Sequence, residues 1–171
     1  MSKPWSKLQS KLYELIDSKA NFQIHCAVYR LNSKDPMTKN PYCLPRYWIT
    51  IDKTIIFDYP KMFLKEKGMA DWSLKSKSLT VAQVYPGDQA VSKISETIRE
   101  YIDCPKDQIL NKEFNDQYGI TDILKLVDKR IGKEKFKSIK FSNNFKNLLD
   151  EKVIDRETIY HIFKNRWKNE D

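Results

Sequence analysis

A histidine and a cysteine stand side by side in the sequence, and together they are the residue types of a thiol–base pair. His25 would have to face Cys26 for its imidazole to activate the thiol. The alternating pattern around them predicts a β-strand, however, and neighbours on a strand point to opposite faces. We therefore expect Cys26 in the core and His25 on the sheet surface. His161 falls on the outer flank of the last predicted helix, near Lys164, where a surface histidine is the ordinary case.

Acidic residues could instead hold a metal ion, as they do in metal-dependent nucleases. The fragment Asp150-Glu151-Lys152 has an acid-x-lysine spacing, but the surrounding pattern puts it at a helix end rather than on a strand. Two histidines and three cysteines cannot supply a zinc motif of adjacent pairs. A metal-dependent nuclease is thus the third hypothesis, and neither a cofactor nor a metal site is expected. Other acids that could lie around the sheet are Asp52, Asp58 and Asp71.

Positive charge is the main chemical signal of the sequence. The net charge is +8; residues 1–85 carry 14 basic and 7 acidic side chains, whereas residues 86–171 carry 17 and 16. Within the second half, residues 129–146 hold seven basic side chains and a single acid, Glu134. Such a cluster favours polyanionic partners, because binding releases condensed counterions. The candidate nucleic-acid-binding residues are Lys129, Arg130, Lys133, Lys135, Lys137 and Lys140.

The type of cation limits the recognition that can be expected. The chain has 25 lysines and 6 arginines, and arginine is the residue that binds phosphates and guanine edges bidentately. Lysine is also a common solvated surface residue, so this ratio weakens the nucleic-acid hypothesis without removing it. Four glycines are present, and they form neither a phosphate-binding loop nor a nucleophile elbow. An enzyme is therefore not expected.

Aromatic residues in a predicted hairpin offer a second way to bind nucleic acid. Tyr47, Trp48, Phe57 and Tyr59 could stack on unpaired bases if they shared an exposed sheet face. One face of the sheet must pack against a helix, however, and aromatic pairs across a hairpin are ordinary stabilising contacts. We therefore favour core positions for these side chains over a stacking platform.

The cationic residues belong to a strongly patterned stretch, YGITDILKLVDKRIGKEKFKSI, at residues 118–139. Its apolar residues recur at helical spacing, which predicts an amphipathic helix. Thr121 is expected to cap the start of that helix, and Asp122 puts an acid in its first turn. Lys129 and Arg130 then fall in its last turn, where cations oppose the negative end of the helix dipole.

The end of this stretch predicts a turn and a second helical run. Gly132 stands where a left-handed C-terminal residue belongs. The run at residues 133–140 should bury Phe136 and Ile139 and leave its lysines in water. Two helices joined at a glycine would present a cationic outer side.

The helical face also predicts which side chains of the first helix stabilise the fold. Val127 and Ile131 lie on the apolar face, so they should be buried against the C-terminal helices. Lys125 should point outward from the same helix, and its truncation to alanine should change stability by less than about 0.5 kcal/mol.

The remaining pattern predicts an α+β fold: an N-terminal helix on an antiparallel sheet of three or four strands, followed by a helical C-terminal half. We expect one domain over residues 1–171, with residues 1–85 forming the helix and sheet. The predicted elements are a helix at 4–19, strands at 22–28, 47–51, 54–59 and 79–85, a surface loop at 31–45, and helices at 88–103, around Ile109, at 143–149 and after Asp155. Asp52-Lys53 fits a two-residue hairpin turn without the preferred glycine.

The bulk properties indicate a cytoplasmic protein. The longest apolar run is well short of the roughly 20 residues of a membrane span, and the N-terminal segment is amphipathic rather than continuously apolar. Three widely spaced cysteines fit reduced thiols better than a disulfide framework.

Three segments resemble a family of small uncharacterised bacterial proteins. They are WSKLQSKL near the start, RYWITIDKTII in the hairpin and YGITDILKLVDKRIGKEKF. The sequence departs from that pattern at Lys53, where glycine is usual, and at Phe136, where leucine is usual. The resemblance implies a bacterial cytosolic protein and supplies no catalytic residues.

Three functional hypotheses follow. The first is a non-catalytic cytosolic bacterial binding protein that contacts nucleic acid through its basic surface. The alternative is an immunity or antitoxin-like protein that neutralises an acidic protein partner, which needs a complementary surface and no chemistry. The metal-dependent nuclease comes third, and no membrane partner is expected.

Overall fold

The computed structural model describes residues 5–31, 42–59, 88–150 and 154–168. It confirms the α+β fold: an N-terminal helix, a three-stranded antiparallel sheet and then helices. Within these ranges every helix is too short or too polar to cross a lipid bilayer. The single domain over residues 1–171 stays a prediction. The elements are α1 (Trp5–Tyr13), β1 (Phe22–Leu31), β2 (Tyr42–Ile51), β3 (Thr54–Tyr59), α2 (Asp88–Asp103), α3 (Ile120–Val127), α4 (Lys133–Lys137), α5 (Asn143–Asp150) and α6 (Arg156–Trp167).

The sheet has the order β1-β2-β3, and its second hairpin has the predicted two-residue turn. Asp52 and Lys53 both have positive φ, 48° and 67°, which is the type I′ backbone that matches the twist of the strands. The register between β2 and β3 shifts at Ile49 and Thr50, which pair with Phe57 and Ile55, so that β3 has one extra residue there. In the turn, Lys53 has a left-handed backbone conformation in which glycine would be less strained.

Alternation places one side of each strand against the helices. Ile24, Ile49 and Phe57 lie in one cross-strand row and are buried. α1 contacts this side through Trp5, whose ring centroid lies 5.2 Å from that of Tyr47. α2 contacts it through Ser95, whose hydroxyl lies 2.8 Å from that of Tyr47. One part of the core therefore lies between the sheet and the first two helices, and the same cluster continues through the apolar residues of α3, α5 and α6.

The hairpin aromatics divide as the alternation requires. Tyr47, Phe57 and Tyr59 are buried on the helix-covered side, which confirms the core interpretation for these three. Trp48 lies on the other side, half-buried, and its ring stacks on His25 with centroids 4.8 Å apart. Only Trp48 of the four is therefore accessible on the opposite face.

Several predicted boundaries were wrong. α1 ends at Tyr13 rather than at residue 19, and β2 begins at Tyr42, inside the loop expected at 31–45. The residues around Ile109 form turns instead of a helix. The strand expected at 79–85 lies outside the described residues. α2, α5 and α6 match their predictions, and the carboxylate of Asp155 caps α6 by accepting from the backbone N–H of Thr158 at 2.7 Å.

The start of α3 differs from the predicted cap. Its N-cap is Gly119, with φ +73°, and a Cβ there would lie 3.1 Å from backbone atoms of Phe145. Thr121 is not the cap but lies within the helix, where its N–H and its hydroxyl both donate to Asp116. Asp116 thus binds the exposed donors of the first turn, the role that we expected of Thr121.

The prediction that Lys125 points outward from α3 was wrong. All eight residues of α3 are buried, including Lys125 at 6% exposure and Asp122 at 1%. The ammonium of Lys125 donates to Asp122 at 3.0 Å and lies 5.7 Å from the ring centre of Phe114. The expectation that its truncation is harmless is therefore withdrawn, because removal would leave a buried carboxylate without its cation.

Val127 and Ile131 are buried as predicted, with exposures of 0% and 2%. Replacing either with alanine should lower the free energy of unfolding by about 2–4 kcal/mol, because burial is lost and a cavity remains. Urea unfolding gives this value. Ile55→Ala is the matched control, since Ile55 is 50% exposed, and it should cost about 1 kcal/mol or less. Equal losses for Ile131→Ala and Ile55→Ala would contradict the packing.

Candidate nucleic-acid interface

The cationic segment begins where α3 stops, and its backbone is held from the outset. Asp128 adopts an extended conformation and forms an isolated bridge with Ile16. The N–H of Asp17 donates to the carbonyl of Val127 at 2.8 Å, and the N–H of Lys129 donates to the carbonyl of Leu15 at 2.9 Å. The chain between α3 and α4 is therefore paired with the segment that follows α1.

Arg166, from the last helix, satisfies the end of α3. Its guanidinium is 2% exposed and donates to the carbonyls of Leu126, Asp128 and Ile131 at 2.9, 2.7 and 2.9 Å. Its Nε donates to Asp17 at 3.1 Å. Burial lowers the pKa of Arg166, and hydrogen bonding to Asp17 opposes this.

The left-handed glycine cap predicted at residue 132 was wrong. Gly132 has φ −76° and ψ 171°, and it is the N-cap of α4.

Arg130 has a structural partner inside the protein. The carboxylate of Asp128, at 0% exposure, accepts from the Nε and Nη2 of Arg130 at 3.0 and 2.7 Å and from the hydroxyl of Tyr101 at 2.8 Å. The Nη1 of Arg130 donates to the carbonyl of Cys104 at 2.8 Å. Burial, with Asp128 beside it, raises the pKa of Tyr101 well above its usual value. Arg130 therefore offers little of its guanidinium to an outside anion.

Four of the five lysines at residues 129–140 point outward. Lys129, Lys135, Lys137 and Lys140 are exposed, and we call these four the lysine surface. Lys137 is paired with Glu134 at 2.8 Å, and this contact holds the pKa of Glu134 below its usual value. The side chains of the other three form no ion pair within the described part of the chain. Of the remaining predicted site residues, Lys133 is half-buried.

The backbone that carries the lysine surface is held in place within α4 and again shortly after Lys140. Phe136 of α4 packs on Phe163 and Trp167 of α6, with ring centroids 5.4 and 5.1 Å apart. Further along, the N–H of Ser142 donates to the buried carboxylate of Asp122 at 2.8 Å. The backbone that carries the lysines is thus docked on α3 and α6, so the positions of these lysines on the protein surface are fixed.

The other candidate residues form no catalytic arrangement in the described structure. Burial raises the pKa of the Cys26 thiol, which disfavours the thiolate. Asp58 is bound by Arg46 through two contacts of 2.7 and 2.5 Å, and Asp52 lies 2.9 Å from the Nε2 of His161. Among the described residues no cluster of His, Cys, Asp or Glu could hold a metal ion.

Two of the acids discussed above lie outside this description. Residue 71 is not described, and of the fragment 150–152 only the backbone of Asp150 is. The nuclease hypothesis on that fragment therefore stays a prediction.

The sequence pattern did not reveal the structural role of Asp128 and Arg166, which are 38 positions apart in the chain and joined by a hydrogen bond. A long-range contact of this kind leaves no periodic signal in a sequence.

These features define a class: a small α+β protein with a helix-covered antiparallel sheet and a docked lysine surface. The chain belongs to the SF0329 protein family, whose model matches residues 4–154. All three segments that carry the resemblance noted above lie within this range. Comparisons with curated proteins and with solved structures gave no match.

Proposed function

We propose that this protein is a non-catalytic binding protein whose lysine surface contacts the phosphate backbone of nucleic acid. One observation carries the proposal: three exposed lysines that form no ion pair with any described residue lie on a single docked segment whose sequence contains one acid, Glu134. When such lysines contact a polyanion, they displace the counterions condensed on it. The release of these counterions is the main source of non-specific affinity.

The composition of the surface favours backbone contact over base reading. Arg130 is held by Asp128, so the bidentate guanidinium that reads guanine edges is not presented there. Lysine contacts phosphate as a point charge without fixed geometry. The proposal is therefore for binding with little sequence preference, with a dissociation constant on the order of 10⁻⁴ to 10⁻⁶ M at physiological salt.

Removing three lysines of the surface tests the proposal. In Lys129→Gln/Lys135→Gln/Lys140→Gln, binding of a fluorescein-labelled RNA should weaken at least about tenfold at roughly 50 mM salt. The slope of log affinity against log salt concentration should become shallower by about 2, since each lost phosphate contact removes about 0.7 for a single strand. Fluorescence anisotropy at several salt concentrations measures both quantities.

A matched control separates this surface from net charge. Lys7→Gln/Lys11→Gln/Lys106→Gln changes three other exposed lysines and the net charge equally. It should leave the affinity within about twofold of the wild-type value, because dispersed cations make few simultaneous phosphate contacts. Equal weakening in both triple variants would mean that only overall charge matters, and the lysine surface would then have no special role.

The proposal includes a bacterial, cytoplasmic setting. The free thiols of Cys26 and Cys104 support the cytoplasmic part, and the bacterial part rests on the resemblance of the three segments. An acidic protein would also complement the lysine surface, as in the immunity or antitoxin-like alternative. Pull-down from the native host distinguishes the two partners. Recovery of RNA that nuclease treatment removes supports nucleic acid, whereas a stoichiometric acidic protein that resists the treatment supports the alternative.

A further inference from the structure

The outer side of α6 carries an exposed aromatic ring between two cations. Tyr160 is 66% exposed, the most exposed large hydrophobic side chain in the described part of the chain. Arg156 and Lys164 are also exposed, one turn before it and one turn after it. Residues four apart on a helix lie on one side and about 6 Å apart along the axis. Arg156, Tyr160 and Lys164 therefore form a stripe, which we call the α6 stripe.

The α6 stripe lies on a helix that packs against α4, which carries two lysines of the lysine surface. Phe163 and Trp167 follow Tyr160 at positions i+3 and i+7, so the three rings lie along one side of α6. α4 packs on the last two through Phe136. Tyr160 thus extends the aromatic row beyond the buried contact and into solvent. The cations of α4 and those of the α6 stripe belong to neighbouring helices.

We propose that the α6 stripe binds single-stranded nucleic acid, with Tyr160 stacking on an unpaired base while Arg156 and Lys164 contact the flanking phosphates. Aromatic rings interleaved with cations are the usual means of holding a single strand without sequence preference. A base inside a duplex is already stacked on both faces, so an isolated tyrosine gains nothing from it. The inference rests on the proposed function and narrows its ligand to single strands.

Among the described residues at the start of α6, two acids lie near the α6 stripe and limit its electrostatic contribution. The carboxylate of Asp155 is occupied by the N–H of Thr158 at 2.7 Å. Glu157 is exposed, three positions before Tyr160. Their charges partly offset those of Arg156 and Lys164, so stacking by Tyr160 supplies most of what the α6 stripe adds to the lysine surface.

Tyr160→Ala tests this inference with a labelled oligothymidylate of roughly 20 nucleotides and a duplex of the same length. We expect the variant to bind the single strand about fivefold to a hundredfold more weakly, since one base–aromatic contact contributes about 1–3 kcal/mol. Its salt slope and its affinity for the duplex should match those of the wild-type protein, because no charge is lost. Tyr160→Phe keeps the ring and should restore single-strand binding.

The outcomes separate this inference from the proposed function. If Tyr160→Ala leaves single-strand affinity unchanged while the triple lysine variant loses it, the α6 stripe has no binding role and the lysine surface keeps its own. Equal weakening on single strand and duplex would also overturn the stacking role. If the wild-type protein binds neither probe, the proposed function itself fails. Thermal unfolding of Tyr160→Ala should match the wild type, because the side chain is exposed.

Discussion

Replacing Arg166 with methionine is expected to lower the free energy of unfolding by about 3–5 kcal/mol, because the change removes one partner of a buried ionic network. Methionine keeps most of the apolar stem but leaves the carbonyls of Leu126, Asp128 and Ile131 without the donors that now lie within 2.9 Å. It also removes the cation beside Asp17. Unsatisfied buried acceptors add the desolvation cost of each group. Urea unfolding of the two proteins measures the difference.

Lys168→Met is the control for this prediction. Lys168 follows α6 directly and is exposed, so the same loss of charge there should change stability by less than about 0.5 kcal/mol. The network also ties α6 to the connection between α3 and α4, so Arg166→Met should weaken RNA binding indirectly by loosening the lysine surface. An Arg166→Met protein as stable as Lys168→Met would mean that the carbonyls find other donors and that the network is not a structural centre.

Lys125→Ala should lower the free energy of unfolding by a similar amount, about 3–5 kcal/mol, since the carboxylate of Asp122 at 1% exposure would lose its cation. That carboxylate also accepts the N–H of Ser142 at 2.8 Å, so the backbone beyond the lysine surface is affected as well. Lys129→Ala serves as the comparison, because Lys129 is exposed and has no ion pair among the described residues. It should change stability by less than about 0.5 kcal/mol.

A double variant identifies the origin of this loss. Asp122→Asn/Lys125→Met removes both charges, and replacement of a whole buried pair by less polar groups is often close to neutral. We therefore expect the double variant to be more stable than Lys125→Met alone, with a coupling energy of about 1–3 kcal/mol in the cycle that Asp122→Asn completes. Strictly additive losses would show that packing, rather than the ion pair, accounts for the effect of Lys125.

Local signals in the sequence were sufficient for most of the fold. Period-two alternation located β1, and the aromatic and β-branched residues of 54–59 located β3. The two-residue turn at Asp52-Lys53 followed from the spacing of the hairpin strands. The helix predicted at 88–103 ends at Asp103, two residues before Pro105, and Asp155 correctly began α6. These features depend on a few neighbouring residues, which is why a single sequence can reveal them.

The errors arose where distant parts of the chain decide the environment. α3 has a polar side at Asp122 and Lys125, but Ser142 and Phe114 cover that side, so the amphipathic pattern does not mark solvent. Arg130 was predicted to lie on the surface. Its partner Asp128 is buried by contacts from α2 and α6, and the sequence pattern does not reveal these long-range contacts. A count of charges along the chain cannot distinguish a cation that neutralises a buried acid from one that faces water.

The candidate surface was therefore predicted in part. Four of its six residues, Lys129, Lys135, Lys137 and Lys140, are exposed as expected. The α6 stripe was missed, because no local signal in the sequence marks Tyr160 as exposed. Its position beside α4 depends on the packing of Phe136 against Phe163 and Trp167.

The salt dependence of RNA binding by the wild-type protein tests the central claim most directly. Anisotropy of a labelled single-stranded RNA, titrated at several salt concentrations between about 50 and 200 mM, gives the slope of log affinity against log salt. The lysine surface predicts measurable binding at the lowest salt and a slope of about −2 to −3, corresponding to three or four phosphate contacts. Absence of binding at about 50 mM salt, or an affinity that does not change with salt, would contradict nucleic-acid binding through the lysine surface.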